Sequence, residues 1–220
     1  MYIVADSTSA TMSKGASLEF GGETARAIND FWFGTAAEDR VVASQQTRLW
    51  WIKNPATDRL IRERFANATA AAARGELNGW AQQPSGLLAL ILLTDQFPRN
   101  MYRNTPSAFE HDDMAQTWAL DGLERGIDLR LRPIERLFMY LPLEHAESNA
   151  LQARSVERFT RLFQDVPPKD VETFRGFLVY ALRHRSVVAR FGRFPHRNAI
   201  LGRDSTIEEF EFLAKPGSLF

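Results

Sequence analysis

Two short segments of the chain carry nearly the same order of polar, chemically active residues. Residues 95–103 read DQFPRNMYR and residues 190–203 read RFGRFPHRNAILGR, so Phe-Pro precedes Arg-Asn in both, with one His inserted in the second. Proline ends a helix because it lacks an N–H donor and clashes with the preceding turn. Each segment is therefore predicted to direct its Arg and Asn from a helix end into a loop. If the two loops meet, they form a compact polar site.

Arginine supplies nearly all of the positive charge near these segments. Lysine occurs only at positions 14, 53, 169 and 215, whereas residues 183–203 contain six arginines and no acid. A guanidinium presents a planar set of donors that matches carboxylates and phosphates. Fixed arginines in excess of the nearby acids therefore predict an anion pocket. The arginines in excess are Arg99, Arg103, Arg190, Arg193, Arg197 and Arg203.

Two asparagines complete this hypothesis. Arg99, Arg193 and Arg197 would hold a carboxylate or phosphate group, and Asn100 and Asn198 would orient it. The alternative is that Arg and Asn after a helix-ending Pro bond the free carbonyls of the helix end. The two segments would then be structural locks without any ligand, and the sequence leaves both interpretations open.

The helix predicted over residues 170–190 carries an arginine on its apolar face. At about 100° per residue, Arg185 falls in the middle of the stripe that carries Phe174 and Val188, and His184 falls at its edge. A guanidinium directed at a core needs a partner. The candidate partners are Asp95, Glu144 and Glu147. Arg185 therefore either clamps two helices together or faces a ligand beside His184.

Glu144 and His145 are adjacent and directly follow Leu-Pro-Leu. A carboxyl group beside an imidazole suits acid–base chemistry, because His titrates near neutral pH. Neighbouring helix residues point about 100° apart, so the alternative is one exposed residue and one structural residue. In the anion pocket, Glu144 and His196 are predicted to set the protonation of the site. If the pocket is catalytic, His196 or His145 is the predicted general base.

Short sequence motifs for metals and cofactors are missing. No ligand pair such as HExxH accompanies the histidines, although three separated histidines leave a non-local site open. The chain also contains no Walker loop, GxGxxG or GxSxG. We therefore expect no metal and no cofactor.

Composition excludes several classes of protein. The 27 Lys and Arg balance 27 Asp and Glu, which does not indicate a nucleic-acid partner. Because the chain has no cysteine, disulfide scaffolds, thiolate zinc sites and Cys nucleophiles are excluded. The longest apolar run, residues 87–93, is too short to cross a bilayer, and the first residues lack the features of a secretory leader. A cytoplasmic protein is predicted, with its oligomeric state left open.

Apolar residues recur with helical spacing almost throughout, which predicts an all-α protein. Residues 1–20 are predicted to be a mobile tail and residues 21–220 a single helical domain. The helices are predicted over residues 23–33, 57–74, 84–97, 106–125, 133–140, 146–164, 170–190 and 206–214, and residues 38–52 are predicted to be helical or irregular.

Particular residues are predicted to begin, end or interrupt these helices. Thr57 is predicted to cap the long helix that ends at Gly75. Pro142 is predicted to restart or kink the helix that begins at Pro133. Asp95 is predicted at a helix C-terminus, where the macrodipole disfavours an anion and an arginine partner is expected.

Three strings of the sequence carry a resemblance to a known family. They are DQFPRNMYR, YLPLEHAE and RFGRFPHRNAILGRDSTIEEFEFL. Together they resemble the bacterial family catalogued as domain of unknown function 924, over residues 25–215. The family's common EHSE motif reads EHAE here, with Ala146 in place of the Ser. The resemblance implies an all-helical, tetratricopeptide-like fold, which agrees with antiparallel helix pairs in a right-handed array. It implies no reaction, substrate or cofactor.

Two further classes of function stand beside catalysis. The leading hypothesis is a protein that binds a small anionic metabolite in a polar pocket joining residues 95–103, 144–147 and 184–203. The other is a scaffold, because helix-pair stacks bind peptides along a concave face. Its working surface would lie among Trp50, Trp51 and Trp80. Arginines converging on an open cavity would favour the ligand site, and arginines fully paired in a closed core would favour the scaffold.

Overall fold

The computed structural model describes residues 19–20 and 23–218 of the chain. The predicted mobile tail lies outside this range except for Glu19–Phe20, which forms a short strand (β1) paired antiparallel with Glu23–Thr24 (β2). The predicted all-α class is confirmed. The helices are Ala25–Phe33 (α1), Asp39–Trp51 (α2), Pro55–Ala73 (α3), Pro84–Ile91 (α4), Phe97–Met101 (α5), Asp112–Glu124 (α6), Pro133–Glu144 (α7), Asn149–Asp165 (α8), Val171–Phe191 (α9) and Ile207–Leu213 (α10).

Aromatic side chains fill the centre of the main core. Trp32 of α1 lies 5.5 Å from Phe97 and 5.6 Å from Phe138 of α7, measured between ring centroids. Trp50 lies 4.6 Å from Phe138 and donates its indole N–H to the carbonyl of Trp32. Such ring pairs stabilise a core beyond the area they bury. Because these rings come from α1, α2, α5 and α7, they tie the first half of the chain to the helix that ends in the Glu-His pair.

The predicted tryptophan surface is wrong for two of its three members. Trp50 and Trp80 are 8% and 5% exposed and belong to the core, whereas Trp51 is 47% exposed. A backbone contact fixes Trp80 as well, since a side chain at Gly86 would collide with the carbonyl oxygen of Trp80.

The start of α3 also differs from the prediction. Asn54, not Thr57, is the N-cap, and its Oδ1 accepts from the backbone N–H groups of Ala56 and Thr57. Pro55 follows at the first helical position, where a missing N–H costs nothing. The helix ends as predicted before Gly75, which takes a φ of 78°.

The first Phe-Pro segment does not leave a helix, contrary to the prediction. Residues 84–101 are helical throughout, because a π-helical stretch, Leu92–Gln96, joins α4 to α5. In this wider turn the N–H of Phe97 bonds the carbonyl of Leu92, and Pro98 then sits in the first turn of α5, where proline is tolerated. Asp95 therefore lies inside a helical run rather than at a helix end.

The second half of the chain packs its helices against their neighbours in sequence. α8 packs on both α7 and α9, and α6 packs on α7. α7 runs without a break through Pro142, so the predicted restart is wrong; Pro142 stands in the last turn, where it disrupts few hydrogen bonds. The tetratricopeptide-like arrangement and the division into tail and single domain stay predictions. No helix within residues 23–218 is long and apolar enough to cross a membrane.

The second Phe-Pro segment follows a helix end as predicted. α9 stops at Gly192, whose φ of 71° is left-handed, and Pro195–Arg197 forms a 3-10 turn. α10 then begins at a capping box, in which Thr206 Oγ1 accepts from the N–H of Glu209 and the Glu209 carboxylate accepts from the N–H of Thr206.

Candidate functional site

The arginines of the two Phe-Pro segments meet at one carboxylate, Asp112, in the first turn of α6. Arg99 pairs with it through both ends of its guanidinium, Nη1 to Oδ1 at 2.8 Å and Nη2 to Oδ2 at 3.0 Å. Arg197 Nη1 lies 3.4 Å from Oδ2 of the same carboxylate. The N-terminal dipole of α6 favours the anion at this position. Asp112 thus joins α5 to the turn that follows α9.

Asp95 is the second anion of the site, and its carboxylate is fully bonded. Oδ1 lies 2.8 Å from Nδ1 of His145 and 3.3 Å from Nη1 of Arg99. Oδ2 accepts from the Gln96 amide at 2.5 Å. Arg99 also donates to the backbone carbonyl of Asp95 at 2.8 Å. The side chain of Asp95 is completely buried, so these bonds replace the water it loses.

The charges around Asp95 and His145 fix their protonation. Burial alone would raise the pKa of Asp95, but the Arg99 guanidinium and then His145 lower it well below its usual range. Burial lowers the pKa of His145, Asp95 opposes this, and Arg99 adds to the lowering. His145 is therefore neutral at pH 7. Its Nδ1–H donates to the carboxylate, so Nε2 carries the lone pair, the arrangement required of a general base.

Glu144 and His184 form a buried pair next to the first one. Nδ1 of His184 lies 3.0 Å from Oε1 of Glu144 and donates to the carbonyl of Tyr180 at 2.9 Å. Burial, reinforced by the charge of Asp95, raises the pKa of Glu144 to about 8. Burial lowers the pKa of His184 to about 3, against the pull of the Tyr180 carbonyl. Glu144 and His184 are thus both uncharged at neutral pH. Neither Glu144 nor its neighbour His145 is exposed, so the alternative of one exposed residue among these two is wrong.

Side chains from two elements bind the carbonyl groups at the end of α7 and so hold the adjacent residues Glu144 and His145 in place. The Gln152 amide donates to the carbonyls of Glu144 and Ala146 at 2.6 and 2.9 Å. Arg197 Nη2 donates to the carbonyl of His145 at 3.0 Å. A cation at a helix C-terminus also faces the negative end of the dipole. Both contacts satisfy backbone groups that the helix leaves open.

Arg197 lies between two aromatic rings. Its guanidinium carbon is 4.7 Å from the centre of the Phe109 ring and 4.6 Å from that of Phe194. Burial, followed by the charge of Arg99, lowers the pKa of Arg197 to about 10. The environment of Arg197 therefore disfavours its charge, whereas the neighbouring carboxylates raise the pKa of Arg99 despite its burial.

A cleft of about 290 Å³ opens beside His145. Its lining includes an aromatic ring, carboxylates, an amide and one guanidinium: Phe109, Glu110, Asp112, Asp113, Gln116, His145, Glu147, Arg197 and Leu201. The carboxylates of Asp112 and Glu147 are already bonded to arginines. His145 lines the cleft, and its Nε2 makes no hydrogen bond within the described residues. Of the Asp95–His145 pair, it is therefore His145 that lines the cleft.

The sequence over most of this structure matches a known family model, described as "Bacterial protein of unknown function (DUF924)". The match runs over residues 28–217. The chain belongs to the DUF924 family. The resemblance carried by the three strings is thereby confirmed.

A solved structure similar to this DUF924 chain is that of a protein of unknown function from Agrobacterium tumefaciens. The two are 38% identical, with a TM-score of 0.72, over 86% of this chain and 96% of the other. No curated protein matches the sequence.

The predicted site residues of this DUF924 protein separate into three groups. One group surrounds Asp95: Arg99, Glu144, His145, His184 and Arg197. A second group binds Asp58 of α3, with Arg103 at 2.7 and 2.8 Å and Asn100 at 3.0 Å. The third binds Glu209 of α10, with Arg193 at 2.7 and 2.8 Å and Asn198 at 3.2 Å. The two asparagines thus lie apart from the cleft.

Arg185 is exposed, so its predicted orientation toward the core is wrong. The buried stripe of α9 follows Phe174, Ala181 and Val188. Seven residues fall about 20° short of two full helical turns, so a stripe of residues spaced by seven rotates slowly around the helix along its length. By the last turns this stripe is centred between His184 and Val188, which leaves Arg185 outside it. His184, expected at the edge, takes the buried place instead.

The predicted excess of arginines over nearby acids is also wrong. Each of the six has a carboxylate partner, some distant in sequence: Arg99 with Asp95 and Asp112, Arg103 with Asp58, Arg190 with Glu208, Arg193 with Glu209, Arg197 with Asp112, and Arg203 with Glu147. Residues 183–203 contain no acid, but α6, α7 and α10 supply acids from outside that segment.

His196, the other predicted base, is not among the residues that line the cleft. Its ring centre is 5.6 Å from that of Phe194, and burial lowers its pKa to about 4.

Sequence reasoning missed the central position of Asp112, although the acid pair at the start of α6 was a signal for an anchored anion. Within residues 23–218 no group of three or more His, Asp or Glu is arranged to hold a metal ion.

Proposed function

We propose that the cleft binds a small polar molecule and that His145 is its general base. The observation that carries this proposal is the bond of 2.8 Å between the fully buried Asp95 and Nδ1 of His145. A buried carboxylate that fixes one imidazole nitrogen leaves the other oriented to accept a proton. Proton abstraction from a bound molecule, or from water during hydrolysis, is the reaction type that this arrangement supports.

The charges of the cleft support a neutral or cationic ligand more than an anionic one. Arg197 is engaged by Asp112 and the carbonyl of His145. Glu110 and Asp113 are exposed and form no ion pair within the described residues. An anion would have to compete with the protein's own carboxylates for each guanidinium, whereas a hydrogen-bond donor meets acceptors already in place.

Thermal-shift screening tests binding, because a specific ligand raises the melting temperature. Matched panels of carboxylated, phosphorylated, neutral and amine-bearing metabolites are compared. We expect the shifts among neutral or amine compounds, and Arg197→Ala, if folded, to retain them. Shifts confined to phosphorylated or carboxylated compounds and lost in Arg197→Ala would support the anion pocket instead.

Turnover of a compound found in this way tests the role of His145. We expect His145→Gln to lower kcat by roughly 100-fold or more, the usual contribution of a general base, while His111→Gln serves as the matched control. Unchanged turnover in folded His145→Gln would contradict the proposal.

The scaffold hypothesis keeps one observation in its favour, the pairing of every arginine in the two segments. If the segments are only structural locks, His145→Gln changes stability but no ligand shifts the melting temperature of the wild type. A peptide panel then replaces the metabolite panels.

A further inference from the structure

Hydrophobic packing changes partway along α9. The last buried residue of the main core along the chain is Ala181; among residues 23–218, no buried residue after Ala181 belongs to that core. A second, small cluster begins afterwards. Its members are Val187, Val188 and Phe194, with Phe191 and Phe212 packed against them. The chain after α9 therefore does not share the main core, and we name residues 192–213 the C-terminal cover.

The C-terminal cover is bonded internally through one buried carboxylate. Glu209 accepts from Arg193 at 2.7 and 2.8 Å, from Asn198 at 3.2 Å and from the backbone N–H of Thr206 at 2.8 Å. Asn198 in turn accepts from Arg203 at 3.1 Å. These bonds join both halves of the cover, so it can move as one body.

Polar contacts hold the cover over the site, and the small apolar cluster holds it to the end of α9. Glu147 accepts from Arg203 at 2.5 and 2.9 Å and from the backbone N–H of Phe194 at 2.8 Å. Arg197 adds its bonds to Asp112 and to the carbonyl of His145. Glu147 and Arg203 are each about one quarter exposed, and water can replace such bonds at little net cost. Segments held in this way open at lower free energy than a hydrophobic core.

One end of the cover has a pivot. Gly192 takes a φ of 71°, and a Cβ there would meet no atom within 4 Å. Directly after it, the ring of Phe194 lies 5.5 Å from that of His184, and Arg197 and Leu201 form one wall of the cleft.

We propose that the C-terminal cover opens and closes as a unit over the site, pivoting at Gly192 and held closed by Glu147. The closed form supplies the Arg197 wall of the cleft beside His145; the open form removes that wall and uncovers the Glu144–His184 pair. This regulation rests on the proposed function of the cleft, but the opening itself does not require it. Lids of this kind control access to a site and the release of product.

Hydrogen–deuterium exchange of the full chain tests the cover directly. The reporting amides bond within the cover: Arg197, Asn198, Leu201 and Arg203. We expect them to exchange faster than the amides of α7, and Glu147→Gln to accelerate them by roughly tenfold, as for the loss of a charged hydrogen bond. The matched control is Glu76→Gln, because Arg74 donates to the Glu76 carboxylate through Nε and Nη2, at 2.6 and 3.0 Å, outside the cover.

The contradicting result is exchange of the cover at the same rate as α7 in both wild type and Glu147→Gln, which would show opening only by global unfolding. If Glu147→Gln does not fold, wild-type exchange in about 1 M salt decides, since salt screens ion pairs. Acceleration confined to residues 192–213 supports the cover, and none overturns it. Because no ligand is used, this result is independent of turnover by His145.

Discussion

The two Phe-Pro segments share an order of residues but differ in backbone, and their side chains converge only in part. Pro98 lies in the first turn of α5 within a continuous helical run, whereas Pro195 begins a 3-10 turn after a left-handed glycine. Arg99 and Arg197 nevertheless reach the same carboxylate, Asp112. Because arginine side chains are long and flexible, two of them can reach one carboxylate from segments with different backbone conformations.

The asparagines show the opposite outcome. Asn100 binds Asp58 on one side of the molecule, and Asn198 binds Glu209 within the C-terminal cover. Their side chains are short, so each is confined to partners beside its own backbone. The duplicated order therefore produces one shared contact and two separate ones.

The largest expected effect comes from removing the shared anion. Asp112→Asn leaves Arg99 and Arg197 close together without the charge between them, and we expect a loss of about 3–5 kcal/mol in the free energy of unfolding. Urea denaturation measures it. The neighbouring Asp113→Asn, at an exposed side chain, should stay within about 0.5 kcal/mol of wild type. Equal effects of the two variants would contradict the shared contact.

The next prediction separates the two arginines. Arg99→Met should cost about 2–4 kcal/mol because it removes a cation from the fully buried Asp95. Arg197→Met should cost about 1–2 kcal/mol. Burial already lowers the pKa of Arg197 and so opposes its charge, and Arg99 still neutralises Asp112. Urea denaturation of both variants gives the order; a larger loss for Arg197→Met would reverse the roles assigned to the two segments.

A pH-dependent effect is expected from the Glu144–His184 pair that the segments enclose. The folded pKa of Glu144 is raised from 4.5 to about 8, so the folded state keeps a proton that the unfolded state releases. The free energy of unfolding therefore falls as pH rises between these values. Glu144→Gln has no such proton to release, so between pH 4.5 and 8 we expect its free energy of unfolding to fall by about 1–3 kcal/mol less than that of the wild type. The measured quantity is the variant-minus-wild-type difference in this free energy at each pH. A difference that is constant with pH would contradict the buried neutral carboxyl.

The smallest expected effect separates the two asparagines. Asn198→Ala removes a buried amide that bonds Glu209 and Arg203, and about 1–3 kcal/mol is expected. Asn100→Ala removes one partly buried bond to Asp58, which Arg103 continues to hold, and about 0.5–1 kcal/mol is expected. Thermal unfolding compares them, and equal losses would show that the two segments hold their surroundings alike.

The sequence predicted the helical class, most helix spans and the residues that surround Asp95. The helical period of the apolar residues and helix-ending glycines such as Gly75 carry that information. It did not predict the π-helical stretch at Leu92–Gln96, because the choice between a break and a wider turn at Pro98 depends on core packing. Ion-pair partners such as Glu147 and Arg203 were not predictable either, since they lie far apart in the chain and only the fold brings them together.

In the structure, Asp95 holds His145 as a neutral base with its lone pair on Nε2. Nitrogen-15 NMR of the imidazole side chains, titrated with pH, measures both the tautomer and the pKa of His145. We predict the Nδ1–H tautomer at pH 7 and a pKa below the ordinary 6.5. An Nε2–H tautomer, or a His145 that is protonated at neutral pH, would contradict the claim.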